Sequence, residues 1–282
     1  MPIANEQFGT RIDEIADGIH RISTPIQPGD EFPPGFTFNQ FLIVDDEPLL
    51  FHTGLRGMFP LLRQAIELVM PIEKLRHVSF GHVEADECGA LNEILAVAPD
   101  AAPLCGEIAA MTSIGDMADR PPRVLKDGET LSLGSHAVTW LATPHLPHAW
   151  ECGYLFETMT STLLCSDLFT QFGADHPPVT EGDILETSEQ ARGGMDYYAH
   201  APNTGDLLEK LAATKPAILA CMHGSAYRGD GALQVLSDPD LEDVRRDLLI
   251  LIDGGEILPV AAYAPITEFA TEAASGGYPE LR

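Results

Sequence analysis

The chain has 282 residues, 45% of them hydrophobic, which is enough for one large core or two small ones. A formal net charge of −27 and a pI near 4.4 exclude nucleic acid, whose phosphates need Lys and Arg, and anionic membrane surfaces. Five widely spaced cysteines (Cys88, Cys105, Cys152, Cys165 and Cys221), with no CxxC pair, fit neither a disulfide framework nor a Cys-rich zinc module, and a reducing cytoplasm is the simplest compartment.

Residues 1–17 are polar and acidic and lack the apolar stretch of a secretory signal. Nowhere is an apolar run long enough to span a bilayer. Residues 18–22 read as a short strand, and 36–44 and 49–53 as two more around the turn Asp45-Asp46-Glu47-Pro48. A helix is predicted over 59–69, with Leu62, Ile66 and Val69 on its apolar face and Pro71 as its stop. Residues 75–80 form the next predicted strand. After a turn, Leu91, Ile94, Leu95 and Ala98 show helical spacing. Further predicted strands cover 103–106, 123–125, 130–133, 137–142, 153–157, 162–166 and 217–221. Helices are expected over 108–114, 184–198, 206–213 and 241–252. The irregular segment 169–203, rich in Pro, Gly and acids, suits a lid or an interface arm. This order predicts an α/β fold in layers: an αββα sandwich of two mixed sheets with helices outside. Residues 1–253 form the expected single domain and 254–282 a tail that packs on the domain or on a partner.

Chemistry-bearing residues concentrate in the turn Gly81-His82-Val83-Glu84-Ala85-Asp86-Glu87-Cys88-Gly89. If that segment is extended, His82, Glu84 and Asp86 alternate and point the same way. Three later segments also follow predicted strands: Thr143-Pro144-His145-Leu146-Pro147-His148, then Ser166-Asp167, then Met222-His223. A lone histidine after a strand is more often a surface or hydrogen-bonded residue than a ligand, and a lone Asp more often a turn former. Four such segments at one sheet edge, with three histidines and several carboxylates, suffice for two metal ions.

HxExD, then His, Asp and His in this order resembles the metallo-β-lactamase superfamily, and most of all the di-iron, oxygen-binding domain of flavodiiron proteins. Residues 39–46 and 48–54 look like that fold's opening hairpin, with His52 where an Asp is usual. The resemblance runs over about residues 15–253. It implies that His82, Glu84 and His145 hold one iron, that Asp86 and His223 hold the other, and that Asp167 bridges them. Glu84 matches the di-iron branch, whereas hydrolases typically carry HxHxDH. Glu87 stands where a His is usual and either ligates through oxygen or leaves its place to water. His148 is a supporting hydrogen-bond donor or a replacement ligand, and with Asp86 it is the expected catalytic residue. Cys88 is expected only to pack.

The function so implied is a binuclear non-haem protein, with iron ahead of zinc or manganese, that binds, reduces or senses O2 or NO. No flavin domain is expected after Arg282, so electrons would come from a separate donor. A homodimer is the expected assembly. Two other readings are a hydrolase of a phosphodiester, thioester or lactam in the same superfamily, and a scaffold that has lost a metal.

Overall fold

A computed structural model describes residues 3–29 and 34–229; the helix expected over 241–252 and the tail from 254 lie outside them. The first sheet contains β1 (Ile3–Asn5), β2 (Thr10–Ala16), β3 (Ile19–Ile26), β4 (Phe36–Ile43), β5 (Leu49–Phe51), β6 (His77–Ser79), β7 (Ala102–Gly106) and β8 (Arg123–Leu125) in that order. β1 to β5 pair antiparallel and β5 to β8 parallel, the parallel pairs being joined by helical crossovers. The second sheet holds β9 (Thr130–Ser132), β10 (Ala137–Ala142), β11 (Gly153–Glu157), β12 (Thr162–Ser166), β13 (Val179–Thr180), β14 (Ile218–Cys221) and β15 (Ala226–Arg228), in the order β13-β15-β14-β12-β11-β10-β9.

Helix α1 (Phe59–Glu67) links β5 to β6. α2 (Ala85–Cys88) and α3 (Leu91–Val97) follow β6, and α4 (Glu107–Ala109) and α5 (Gly115–Met117) flank a π-helical turn after β7. α6 (Leu185–Met195) and α7 (Thr204–Ala212) belong to the second half.

The apolar runs of the strands are continuous because both faces of each sheet are covered. On β4 and β5, Phe41, Ile43, Leu49 and Phe51 turn to the middle layer, where they meet Trp140, Leu155 and Leu164 of the second sheet. Leu42 and Leu50 turn the other way, toward Leu62 and Ile66 of α1 and Ile94 and Leu95 of α3. In the second sheet Leu163, Cys165, Leu219 and Cys221 pack with Leu208 and Leu211 of α7. Three apolar layers separate two sheets and two helical shells, as the αββα expectation requires.

Strands β2, β13 and β15 are not apparent as apolar runs. β2 reads as polar because it alternates Ile12 and Ile15 with charged neighbours. The single helix expected after the site turn is two pieces, α2 and α3, separated by Gly89 and Ala90. Residues 81–83 bend, as a turn requires, so His82, Glu84 and Asp86 do not alternate along an extended segment; Asp86 and Glu87 sit in the first turn of α2. Among the described residues no helix is long and apolar enough to cross a membrane.

Candidate metal centre

Each segment of interest leaves the carboxyl end of a strand. His82 follows β6, His148 follows β10, Asp167 follows β12 and His223 follows β14. The two sheets bring these ends to one rim, where an open α/β arrangement places its ligands.

His82, Glu84, His148 and Asp167 each offer an N or O atom within 4.8 Å of the others. His82 Nε2 lies 2.8 Å from Glu84 Oε2 and 2.8 Å from His148 Nε2. Asp167 Oδ2 is 3.6 Å from both imidazoles. On the far side of Asp167, its Oδ1 is 3.2 Å from His223 Nε2, which in turn lies 3.6 Å from Asp86 Oδ2. One carboxylate therefore spans two groups of donors, with one oxygen facing each.

The three imidazoles are oriented alike. His148 Nδ1 meets the Tyr197 carbonyl at 2.9 Å, His223 Nδ1 meets the Thr37 carbonyl at 2.7 Å, and His82 Nδ1 faces Glu87 Oε1 at 3.2 Å. An acceptor on each Nδ1–H fixes the tautomer and leaves the Nε2 lone pair turned to the site. Two such lone pairs 2.8 Å apart, on His82 and His148, repel unless a cation or a proton lies between them. Asp167 Oδ1 is buried with no hydrogen-bond partner. The donor set and the orphaned oxygen fit a pair of metal ions.

The electrostatics point the same way. Burial opposes charge on His82, but Glu87, the Cys152 thiol and Glu84 hold its pKa far above the ordinary imidazole value. Burial likewise opposes charge on His223, and Asp167 and Asp86 outweigh it. Hydrogen bonds from His148 and His82 hold the Glu84 carboxyl well below its usual range. Burial, with Asp167, Glu87 and Glu84 adding to it against His223, pushes Asp86 up to about 6. A concentration of carboxylates in a buried rim calls for compensating positive charge, which bound cations supply.

Glu87, fully buried, faces away from that cluster. Its Oε2 accepts the backbone N–H groups of Gly81 at 2.6 Å and His82 at 2.7 Å. Its Oε1 accepts the Ser166 hydroxyl and faces His82 Nδ1. Both oxygens are committed to protein donors, so the structure places Glu87 behind His82 rather than among the converging atoms. His52 lies behind Glu87, fully buried, with Nε2 3.5 Å from Glu87 Oε1. Burial lowers the His52 pKa, against the pull of Glu87 and Asp167.

His145 is exposed and is not brought to the cluster; His148, three residues on, stands where His145 was expected. The loop explains the difference. Leu146 is fully buried in the apolar layer of the second sheet, and the His145 N–H donates to the Ala149 carbonyl. Anchoring Leu146 inward turns His145 out and leaves His148 at the rim. Cys88 packs in the first core layer, its thiol donating to the Glu84 carbonyl at 3.3 Å, and all five cysteines are buried and unpaired.

Sequence reasoning passed over four supports. Ser166 and the carbonyls of Thr37 and Tyr197 hold the ligand-type side chains, and the Glu151 carboxylate accepts the Val83 N–H at 3.1 Å. A backbone carbonyl has no residue-type signal. The irregular 169–203 segment nonetheless contributes Tyr197, whose hydroxyl also donates to the Asp167 carbonyl at 3.1 Å.

The model of the ODP family beta lactamase matches residues 36–224. The chain is 28% identical over 233 residues to a rubredoxin-oxygen oxidoreductase of Megalodesulfovibrio gigas, covering 77% of this chain and 57% of that protein. It is 29% identical over 205 residues to a nitric oxide reductase of Moorella thermoacetica, covering 70% of this chain and 51% of that one. It thus spans little more than half the length of these relatives. A metal-soaked flavodiiron core from a Synechocystis species superposes with a TM-score of 0.72 at 22% identity, covering 83% of this chain and 60% of the other. That likeness shows a shared fold: two mixed sheets with helices outside. With the family model matched over more than half of its length, the chain belongs to the ODP beta lactamase family.

Proposed function

We propose that the chain is a binuclear non-haem iron protein that binds O2 or NO and reduces or senses it, with electrons from a separate donor. The observation that carries this reading is the common orientation of His82, His148 and His223, each with Nδ1 held and Nε2 turned to Asp167. In this reading His82, Glu84, His148 and Asp167 Oδ2 hold one ion, and Asp86, His223 and Asp167 Oδ1 hold the other. His145 is outside the ligand set, and Glu87 supports His82 instead of ligating.

Oxygen donors and imidazole suit iron or manganese at least as well as zinc. The two relatives, an oxygen oxidoreductase and a nitric oxide reductase by name, favour a diatomic ligand. Bound at this rim, a pair of iron ions supplies the redox chemistry. The chain's own residues fix the imidazoles, and Asp86 and His148 face the reacting molecule. Glu84 is half exposed and marks the open side, whereas His82 and His223 are buried. Five buried, unpaired cysteines suit a cytoplasmic setting. A homodimer is the proposed assembly, to be read by sedimentation.

The test is metal content and optical response after expression in iron-supplemented medium. Two irons per chain, with an absorbance change when O2 or NO meets the reduced protein, is the expected result. Zinc with turnover of phosphodiesters or thioesters assigns the chain to hydrolysis instead, and substoichiometric metal assigns it to a scaffold.

A further inference from the structure

A cavity of about 310 Å³ lies behind His223, lined by Arg11, Asp13, Arg21, Thr37, Asp175 and His176 among others. It has no part in the metal centre, although Thr37 belongs to both: its carbonyl holds His223 Nδ1 and its hydroxyl accepts the Gly224 N–H.

Two features set it apart from an ordinary surface hollow. Arg21 is 2% exposed and Asp13 8% exposed, both as cross-strand partners on β2 and β3, so their side chains share a face. Arg21 Nη2 donates to the Gly224 carbonyl at 2.8 Å, but Arg21 Nε is buried with no hydrogen-bond partner. Asp13 Oδ2 is buried and unpartnered as well. Only 16 of the 282 residues are Lys or Arg, and two of them meet here. Burial, with repulsion from Arg11 adding to it and Asp13 partly offsetting it, lowers the Arg21 pKa to about 10. A buried guanidinium with an idle donor beside a buried carboxylate with an idle acceptor is a costly arrangement without an occupant.

We propose that this cavity binds a small carboxylate that also carries a hydrogen-bond donor, an amino or hydroxy acid. Its carboxylate meets the guanidinium groups of Arg21 and Arg11, a geometry guanidinium matches well, and its ammonium or hydroxyl meets the Asp13 carboxylate. A phosphate satisfies the arginines but is repelled by Asp13 and Asp175. Water is the competing occupant, since the volume holds about ten molecules at ~30 Å³ each.

The experiment is calorimetric titration of the full chain with L-serine and glycolate, against acetate and inorganic phosphate, repeated on Arg11→Gln, Arg21→Gln and Asp13→Asn. Arg11 is exposed at the rim, so Arg11→Gln keeps the fold if the buried Arg21→Gln does not. One-site binding of L-serine or glycolate is expected, weakened about tenfold or more by either arginine substitution, the size of a lost charge-assisted hydrogen bond. Asp13→Asn is expected to weaken L-serine more than acetate. Absence of binding by every probe overturns the proposal in favour of water. Affinities unchanged in Arg11→Gln overturn the location, and phosphate binding more tightly than L-serine overturns the ligand class. None of these outcomes touches the metal reading, which rests on metal content.

Discussion

At the scale of single residues, the exchange between His145 and His148 is the clearest consequence. His148→Ala removes an imidazole whose Nε2 faces the cluster and is expected to lower metal content per chain, whereas His145→Ala, at an exposed position, leaves it unchanged. Metal analysis of the two purified variants distinguishes them, and equal loss in both would contradict the assignment. Glu87 acts through His82. Glu87→Gln keeps an acceptor for the backbone N–H groups but loses the negative charge on His82 Nδ1, and a weakening of metal affinity of roughly 10–100-fold is expected, as for other partners of ligating histidines. A carboxylate there makes the imidazole a stronger donor and favours the oxidised centre, so the same variant is expected to raise the reduction potential, read by redox titration. Glu87→Ala also strands the Gly81 and His82 N–H groups, at about 1–3 kcal/mol for each buried group left unsatisfied, which a denaturation midpoint reads.

At the scale of elements, the connection from β6 to α2 is packed directly onto the end of β12. A Cβ on Gly81 would lie 2.5 Å from Ser166 Cβ and 3.1 Å from Glu87 Oε2. Ser166 is the last residue of its strand and cannot swing away, so Gly81→Ala is expected to displace both Glu87 and the strand end. The outcome is lost metal together with destabilisation of about 1–3 kcal/mol, the range for overpacked cores. Asp45 does similar work between the sheets. Its carboxylate accepts the His136 N–H at 2.6 Å and the Ser135 hydroxyl at 3.2 Å, tying the β4–β5 turn to the β9–β10 turn. Burial raises its pKa, but these bonds and those from the Asp46 and Ser135 N–H groups together bring it below the usual value. A depressed carboxyl contributes stability that is complete above the unfolded pKa and is lost as pH falls through the folded one. Asp45→Asn is therefore expected to be less stable than the wild type at neutral pH and to close the gap in acid, as paired melts across pH would show.

At the scale of the whole molecule, the centre lies where two sheets meet, so metal and fold are linked. Cations that bind the folded rim and not the unfolded chain raise the melting temperature with their concentration. Chelation is expected to lower it, and re-adding ferrous iron to restore it. Because the surrounding carboxylates favour the protonated imidazoles of His82 and His223, a bound cation competes with protons there, and metal affinity is expected to fall as pH falls. A pH-independent affinity would argue against these imidazoles as ligands.

Local sequence was enough for the strands whose apolar runs are continuous, such as β12 and β14, because burial on both faces demands hydrophobic residues at every position. It was also enough to find the four ligand-type segments, since each combines a strand end with His or carboxylate. It missed β2, whose charged residues alternate with Ile12 and Ile15. What lay beyond it were the directions of side chains in the loops. Burial of Leu146 between a sheet and its helices turns His148 inward and His145 outward. Donors from Gly81 and His82 after β6, and from Ser166 at the end of β12, draw both Glu87 oxygens behind His82. Residue type decides which groups can ligate; only the packed sheets decide which of them point at the same place, because that direction is set by contacts between segments up to 186 positions apart, from Thr37 to His223.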